Sequence, residues 1–227
     1  MMTQHIFVLS LFYLCAGVHL CGLHLEHPQS ADEIASDVAK ASQLQRQRLP
    51  AYSVILQYMV KNSHLKAPAI MHVQLTYQPG AGKQFKVLHS QGVSELVRRA
   101  LMKILETEAK DSRRHSDPSS VTLDHYSFAL DATDQSDYKL GIAHRHGSKY
   151  LLNGYALVKR PNAGIIRLEG RTSKRLSFWV GQAYIVQEFS EFAGFWLPSK
   201  TRSTATIRLV GETELSIEAG EYRFESR

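Results

Sequence analysis

The sequence predicts a mainly β protein of the α+β type, in which a meander of long antiparallel strands forms a curved sheet with helices on one side. Three observations point there. Turn residues punctuate runs rich in β-branched and aromatic residues through almost the whole second half of the chain. Several of those runs alternate apolar and polar residues, the mark of half-buried strands, and only two stretches place apolar residues at helical spacing. With 227 residues and 44% hydrophobic content the chain is long enough for one sizeable core. A single domain over residues 26–227 is expected.

The first helix is predicted at 31–47. Ser30 followed by Glu33 makes a capping box, and Ala31, Ile34, Ala35, Val38 and Ala41 recur at helical spacing until Pro50 ends the element. AYSVILQYMV (51–60) then reads as a strand. In AIMHVQLTY (69–77), Met71, Val73, Leu75 and Tyr77 alternate with His72, Gln74 and Thr76, so one face is apolar. QPGAGK (78–83) has the look of a phosphate loop, but Gln84 stands where Ser or Thr is needed and a strand follows rather than a helix. A hairpin turn supplied by Pro79, Gly80 and Gly82 is predicted instead.

The second helix is predicted near 93–112, with Ser94 as its N-cap. Val93, Leu96, Val97, Ala100, Leu101, Ile104 and Leu105 form its apolar stripe, and Glu95 with Arg99 and Glu106 with Lys110 form four-apart pairs on the wet side. From Val121 onward come VTLDHYSFAL, YKLGIAH, KYLLNGYALVKR, AGIIRLEG, LSFWVGQAYIVQEF, TATIRLV and TELSIEAGEYRF, which bring the count to about ten strands. No helical period interrupts them, so a parallel βαβ sheet is not expected. Trp179, Ala183, Ile185 and Phe189 share one face of their strand, opposite Gln182, Tyr184 and Glu188, and that face is predicted to point inward. In GFWLP (194–198), a turn glycine and a strand-ending Pro198 flank Phe195 and Trp196, which are expected to pack the wall.

Residues 1–25 contain no Asp, Glu, Lys or Arg, and Ile6–Leu14 has the length of a signal-peptide core. A cleaved leader is expected; a retained anchor running on through VHLCGLHL is the alternative. Both cysteines, Cys15 and Cys21, lie in this segment, so no disulfide framework follows. The 27 Lys and Arg against 21 Asp and Glu give +6, without the dense basic stripe interleaved with aromatics that nucleic-acid binding needs. His144 and His146 share a strand face, but two ligands do not make a metal site, and a third could come only from distant His125, His115 or Asp124. The HRH run therefore reads as a polar hairpin tip. No GxSxG elbow occurs, and no metal, cofactor or catalytic residue is expected.

The segment from Gly154 to Phe224 runs strand, short turn, IIRLEG, SFW, long strand, GFWLP, further strand, EYRF. That order resembles the superfamily of periplasmic lipoprotein carriers and their relatives, which includes LolA, LolB and the RseB and MucB regulators, and also outer-membrane lipoprotein-sorting-like envelope proteins. The resemblance extends more weakly to Tyr52 and the second helix. Leu157, Val158 and Lys159 stand where relatives have a Trp-Val-Asp step, and no residue here matches a lid-closing arginine of the carriers. The resemblance implies an unclosed antiparallel barrel of about eleven strands, helices over the open side, and an apolar cavity between.

On that reading the candidate cavity residues are Leu56, Tyr58, Val73, Leu75, Val97, Leu101, Leu105, Trp179, Ile185 and Phe189, with the second helix facing the strands across a gap. The resemblance implies a monomeric, non-enzymatic protein of the Gram-negative envelope, periplasmic or secreted. It would bind a lipid, an acyl chain or an acylated lipoprotein, as in transport to the outer membrane. The alternative is a module that senses or scaffolds another envelope protein through its convex face. Sequencing the amino terminus of the natively expressed protein is expected to place it between residues 18 and 30; an intact leader on soluble cytoplasmic protein would contradict export.

Overall fold

The computed structural model describes residues 30–113, 121–133, 136–146, 151–176, 180–207 and 211–225. Helix α1 (Ala31–Arg48) begins with the expected capping box: the Ser30 hydroxyl accepts from the Glu33 amide at 3.3 Å and the Glu33 carboxylate accepts from the Ser30 amide at 2.8 Å. Amides that no earlier turn can reach are thereby satisfied. Strands β1 (Tyr52–Asn62), β2 (Ala69–Gln78) and β3 (Gly82–Gln91) follow as a meander. The β2–β3 reversal is the predicted hairpin, with Gly80 and Gly82 at φ 81° and 77°, where only glycine sits without strain. Helix α2 (Glu95–Asp111) is capped by Ser94, whose hydroxyl accepts from the Val97 amide at 3.4 Å.

The second half contributes β4 (Tyr126–Thr133), β5 (Asp137–His144), β6 (Leu152–Lys159), β7 (Gly164–Thr172), β8 (Val180–Phe192), β9 (Phe195–Ile207), β10 (Gly211–Ala219) and β11 (Arg223–Phe224). Among the described residues these strands build one antiparallel, unclosed, curved sheet in the order β3-β2-β1-β10-β9-β8-β7-β6-β5-β4. The predicted strand number and open barrel are what the chain forms. The joint between its halves is β1, which pairs with β10 from Leu56↔Ala219 to Asn62↔Thr213 and with β11 at Tyr52 and Ser53. A glycine pair bends the wall between β6 and β7. Gly154 lies opposite Gly170, and a Cβ on Gly154 would stand 1.9 Å from the Glu169 carbonyl oxygen, so no side chain fits between the two backbones.

Two separate cores cover the inner face. In the first, Leu101 and Leu105 of α2 meet Val54, Leu56, Tyr58 and Val60 of β1 and Met71, Val73 and Leu75 of β2. In the second, Ile34 and Val38 of α1 meet Tyr126, Leu140, Ile142, Ala156 and Val158. An aromatic cluster closes one end of the first core: Tyr52 stacks on Tyr77 at 5.1 Å and meets Tyr222 edge-on at 5.3 Å, while Phe192 lies 4.6 Å from Tyr222. Beyond the end of β10, the open edge of β9 is satisfied by side chains. The Gln45 amide of α1 donates to the Trp196 carbonyl at 2.8 Å and accepts from its N–H at 2.9 Å, and the Tyr222 hydroxyl donates to the Pro198 carbonyl at 2.7 Å.

Three sequence expectations need correction. Leu96 and Ile104 of the α2 stripe are 69% and 41% exposed, because the helix aims Leu101 and Leu105 at β1 and β2 and turns the adjacent Leu96–Ala100–Ile104 row to solvent. Pro198 does not end a strand: β9 continues through it, and a register shift between Glu188 and Phe189 falls where Pro198 pairs. Glu106 approaches Lys103 at 3.7 Å, whereas the expected pair of Glu95 with Arg99 forms at 3.0 Å.

The outer face of β6, β7 and β8 carries a compact polar network. The Glu169 carboxylate accepts from the Tyr155 hydroxyl at 2.5 Å, from the Tyr184 hydroxyl and from the Arg167 guanidinium at 2.6 Å, while Arg167 also donates to Glu188 at 3.1 Å. These donors, Tyr155 and Tyr184 foremost, hold the Glu169 carboxyl down to about 2, and the same bonds raise both phenols. A carboxylate with a depressed folded-state pKa contributes stability above its unfolded value and loses it as pH falls toward the folded one.

Two outcomes follow. Leu101→Asp, which must desolvate a carboxylate in the first core, is expected to cost ~3 kcal/mol or more in urea unfolding, and Arg99→Ala under ~0.5 kcal/mol; equal midpoints would contradict the packing of α2. Glu169→Gln is expected to lower the melting temperature at neutral pH and to flatten its decline between about pH 4.5 and pH 2, measured by circular dichroism across that range.

Candidate functional site

Between the two cores the inner face changes character. Cross-strand register lines up Ala156, Leu168, Gln187, Thr201, Ile217, Tyr58 and Met71 in one row, and Gly154, Gly170, Ile185, Ser203, Leu215, Val60 and Ala69 in the next. A third row runs Ala183, Ala205, Thr213 and Asn62. Large side chains stand on β1 and β2, whereas the middle strands mix Leu168, Gln187, Ile185, Leu215 and Ile217 with the shorter Gly170, Ala183, Thr201, Ser203 and Ala205. Thr201, Ser203, Ala205 and Ile185 are half-buried, neither sealed into a core nor open to bulk water. Helix α1 packs on β4 and β7 and reaches β9 through Gln45 and Trp196, and helix α2 packs on β3. This half-buried, partly polar stretch of the inner face between the two apolar cores is the furrow.

The furrow's ends differ. The aromatic cluster of Tyr52, Tyr77, Tyr222 and Phe192 fills one. At the other, Asn62 donates to the Thr213 hydroxyl at 2.9 Å and to the Glu212 carbonyl at 2.8 Å, beside Ala183 and Ala205. Burial pushes the phenols of Tyr58 and Tyr222 far above their ordinary range, and that of Tyr52 upward too, so the first core stays uncharged at any physiological pH. Lys83 and Glu108, 2.7 Å apart, tie β3 to α2 at the rim of this core.

The sequence-predicted cavity residues divide between the banks. Leu56, Tyr58, Val73, Leu75, Leu101 and Leu105 belong to the first core, and Val97 packs against it. Ile185 packs against the second, and Phe189 is half-buried on the same strand. Trp179 lies outside the described residues. Sequence reasoning missed Gln187, Thr201, Ser203 and Ala205. TRSTATI has no apolar face, and its only trace of an inward register is that Thr201, Ser203 and Ala205 fall at every second position.

The remaining chemistry-bearing residues lie apart from the furrow. His144 ends β5 with its Nδ1 buried and without a partner, and His146 is exposed in the following bend. His125 and Asp124 occupy a turn before β4, and His115 falls outside the described residues. Among the described residues no group of three His, Cys, Asp or Glu side chains could hold a metal, and no helix is long and apolar enough to cross a membrane.

No family model and no curated protein matches the chain. Three solved structures are similar at 10% identity. A LolA superfamily protein from Nitrosomonas europaea covers 88% of this chain and 95% of its own at a TM-score of 0.44. A DUF1329 family protein from Desulfovibrio piger covers 87% and 94%, also at 0.44. A domain described as an outer membrane lipoprotein-sorting protein, from Vibrio parahaemolyticus, covers 85% and 94% at 0.40.

Proposed function

We propose that this chain is an exported, non-enzymatic binding protein of the bacterial envelope that takes up an acyl chain in the furrow between its two cores. The observation that supports it best is the contrast along the inner face: fully buried apolar cores on both sides, and between them the half-buried Ile185, Gln187, Thr201, Ser203, Ala205, Leu215 and Ile217. A solid core would place large side chains on the middle strands, because close packing is what a protein interior needs. Here Thr201, Ser203 and Ala205 put short, half-buried side chains at three successive inward positions of β9. An acyl chain laid along the floor would cover the inward edges of Ile185, Leu215 and Ile217. Each buried CH₂ contributes roughly 0.8 kcal/mol. The charge-free leader supports export, and an acylated lipoprotein or a membrane lipid fits as the chain's source.

One observation favours a second reading, a protein-interaction module. The convex face presents Tyr155, Arg167, Arg171, Tyr184 and Arg202 close together, and tyrosine and arginine are the residues most enriched at binding hot spots. Lys139 and Arg171 lie over the rings of Tyr155 and Tyr184 at 4.6 Å and 5.8 Å.

Titration with uncharged fluorescent fatty-acyl methyl esters of increasing length separates the two. The furrow reading expects saturable binding that tightens by about fourfold per added CH₂ until the chain outgrows the floor. Ala205→Trp, which fills the floor from a half-buried position, is expected to weaken binding at least tenfold with the melting temperature kept. Absence of saturable binding in the wild type would leave the convex face as the functional surface.

A further inference from the structure

The floor of the furrow is not uniformly apolar, and its polar groups sit together. Gln187 and Thr201 are direct cross-strand partners on β8 and β9, and Ser203 follows Thr201 by two residues on the same face. Side chains opposite one another in a sheet are about 5 Å apart at Cβ, and same-face neighbours along a strand about 7 Å. One amide and two hydroxyls are thus gathered in a patch a few ångströms across. None of the three side chains has a hydrogen-bond partner among the described residues, although other inward polar groups do: Thr172 accepts from the Ala183 amide at 3.0 Å and Thr213 accepts from Asn62 at 2.9 Å. All three are half-buried, and Ile217, Ile185, Leu215 and Leu168 surround them in the adjoining register positions.

Unpaired polar groups cost stability as water is withdrawn from them, so an occupant that dries the floor must replace the hydrogen bonds that water makes there. A plain hydrocarbon cannot. A carboxylate accepts such bonds but would bring a net charge between two apolar cores. A neutral carbonyl meets the requirement, since all three side chains offer a donor and a carbonyl oxygen has two lone pairs.

We propose that Gln187, Thr201 and Ser203 form a carbonyl-recognition site on the floor of the furrow, selecting acyl esters or amides over ethers and hydrocarbons. The proposal rests on the acyl-binding reading above and names the class of ligand that the same furrow takes. The ester or amide carbonyl seats on the patch between β8 and β9. The hydrocarbon runs from there against the apolar banks. Membrane glycerolipids and acylated proteins share this carbonyl chemistry.

The test compares four probes on the full exported protein: diphenylhexatriene as a hydrocarbon reporter, and as its competitors 1-palmitoylglycerol, the ether analogue 1-O-hexadecylglycerol, and a short N-palmitoylated peptide. Wild type is expected to bind the reporter saturably and to prefer the ester over the ether by about five- to tenfold, the worth of one or two net hydrogen bonds. Thr201→Val with Ser203→Ala, which keeps the shape of the floor, is expected to erase that preference, read as the ratio of the ester's to the ether's displacement of the reporter measured on the same variant. Equal displacement by ester and ether in wild type, or a preference that survives the double variant, overturns the carbonyl site while the furrow stands. Failure of the reporter to bind at all overturns the furrow and the carbonyl site together. The relative strength of the ester and the peptide shows whether a lipid or an acylated protein supplies the carbonyl.

Discussion

The pairing of β1 with β10 is the contact on which the architecture depends. β1 to β3 form a hairpin meander near the amino terminus and β4 to β10 a second, longer one; only the register from Leu56↔Ala219 to Asn62↔Thr213 makes them one sheet. That joint puts the α2 core and the α1 core on the same concave face. Its residues lie far apart in sequence, so forming it carries the loop-closure cost of about two thirds of the chain. The seam is reinforced accordingly. β11 extends the pairing to Tyr52, Gly220 donates to the Ile55 carbonyl at 2.9 Å, and Tyr222 and Phe224 pack on Tyr52 at 5.3 Å and 6.1 Å.

Because each helix has its own flank, the molecule distributes its apolar area unevenly. Tyr58, Met71 and Leu105 are almost fully buried on one side and Leu140, Val158 and Ile34 on the other, while the strands between them carry half-buried residues inward, Thr201, Ser203 and Ala205 among Ile185, Leu215 and Ile217. Each bank is stabilised independently by burial worth about 1.5 to 3 kcal/mol per large side chain. The floor contributes little to that total. Substitutions at the half-buried Thr201, Ser203 and Ala205 are correspondingly cheap for the fold, which leaves their chemistry open to serve a ligand. Across the wall, the convex face solves the opposite problem. There Arg167 pairs with both Glu169 and Glu188, so polar and charged side chains cover the outer face of β7 and β8.

Local order was legible in the sequence. The capping box of Ser30 and Glu33, the N-cap at Ser94, the QPGAGK hairpin and the inward alternation of Met71, Val73 and Leu75 all rest on interactions within a few residues. The resemblance of the carboxy-terminal half added the open barrel. Legibility ended where a residue's neighbour is remote. Leu96 and Ile104 look no different from Leu101 and Leu105 in the helical pattern, and only the angle at which α2 meets β1 and β2 leaves the first pair in water. Gln45 looks like a solvated helix residue until the edge of β9 arrives beside it.

What the sequence determined by itself is therefore the set of elements and the face each one buries, since the periods of 3.6 and 2 are properties of single segments. The furrow was decided by tertiary structure alone. Its floor exists because β8, β9 and β10 stand between two helix-covered flanks, and the inward positions of TRSTATI acquire meaning only once Ser203 is known to lie beside Ile185 and Leu215. Which strands become neighbours depends on long-range pairing and on how one sheet divides two cores, and neither leaves a periodic signal in the segments concerned.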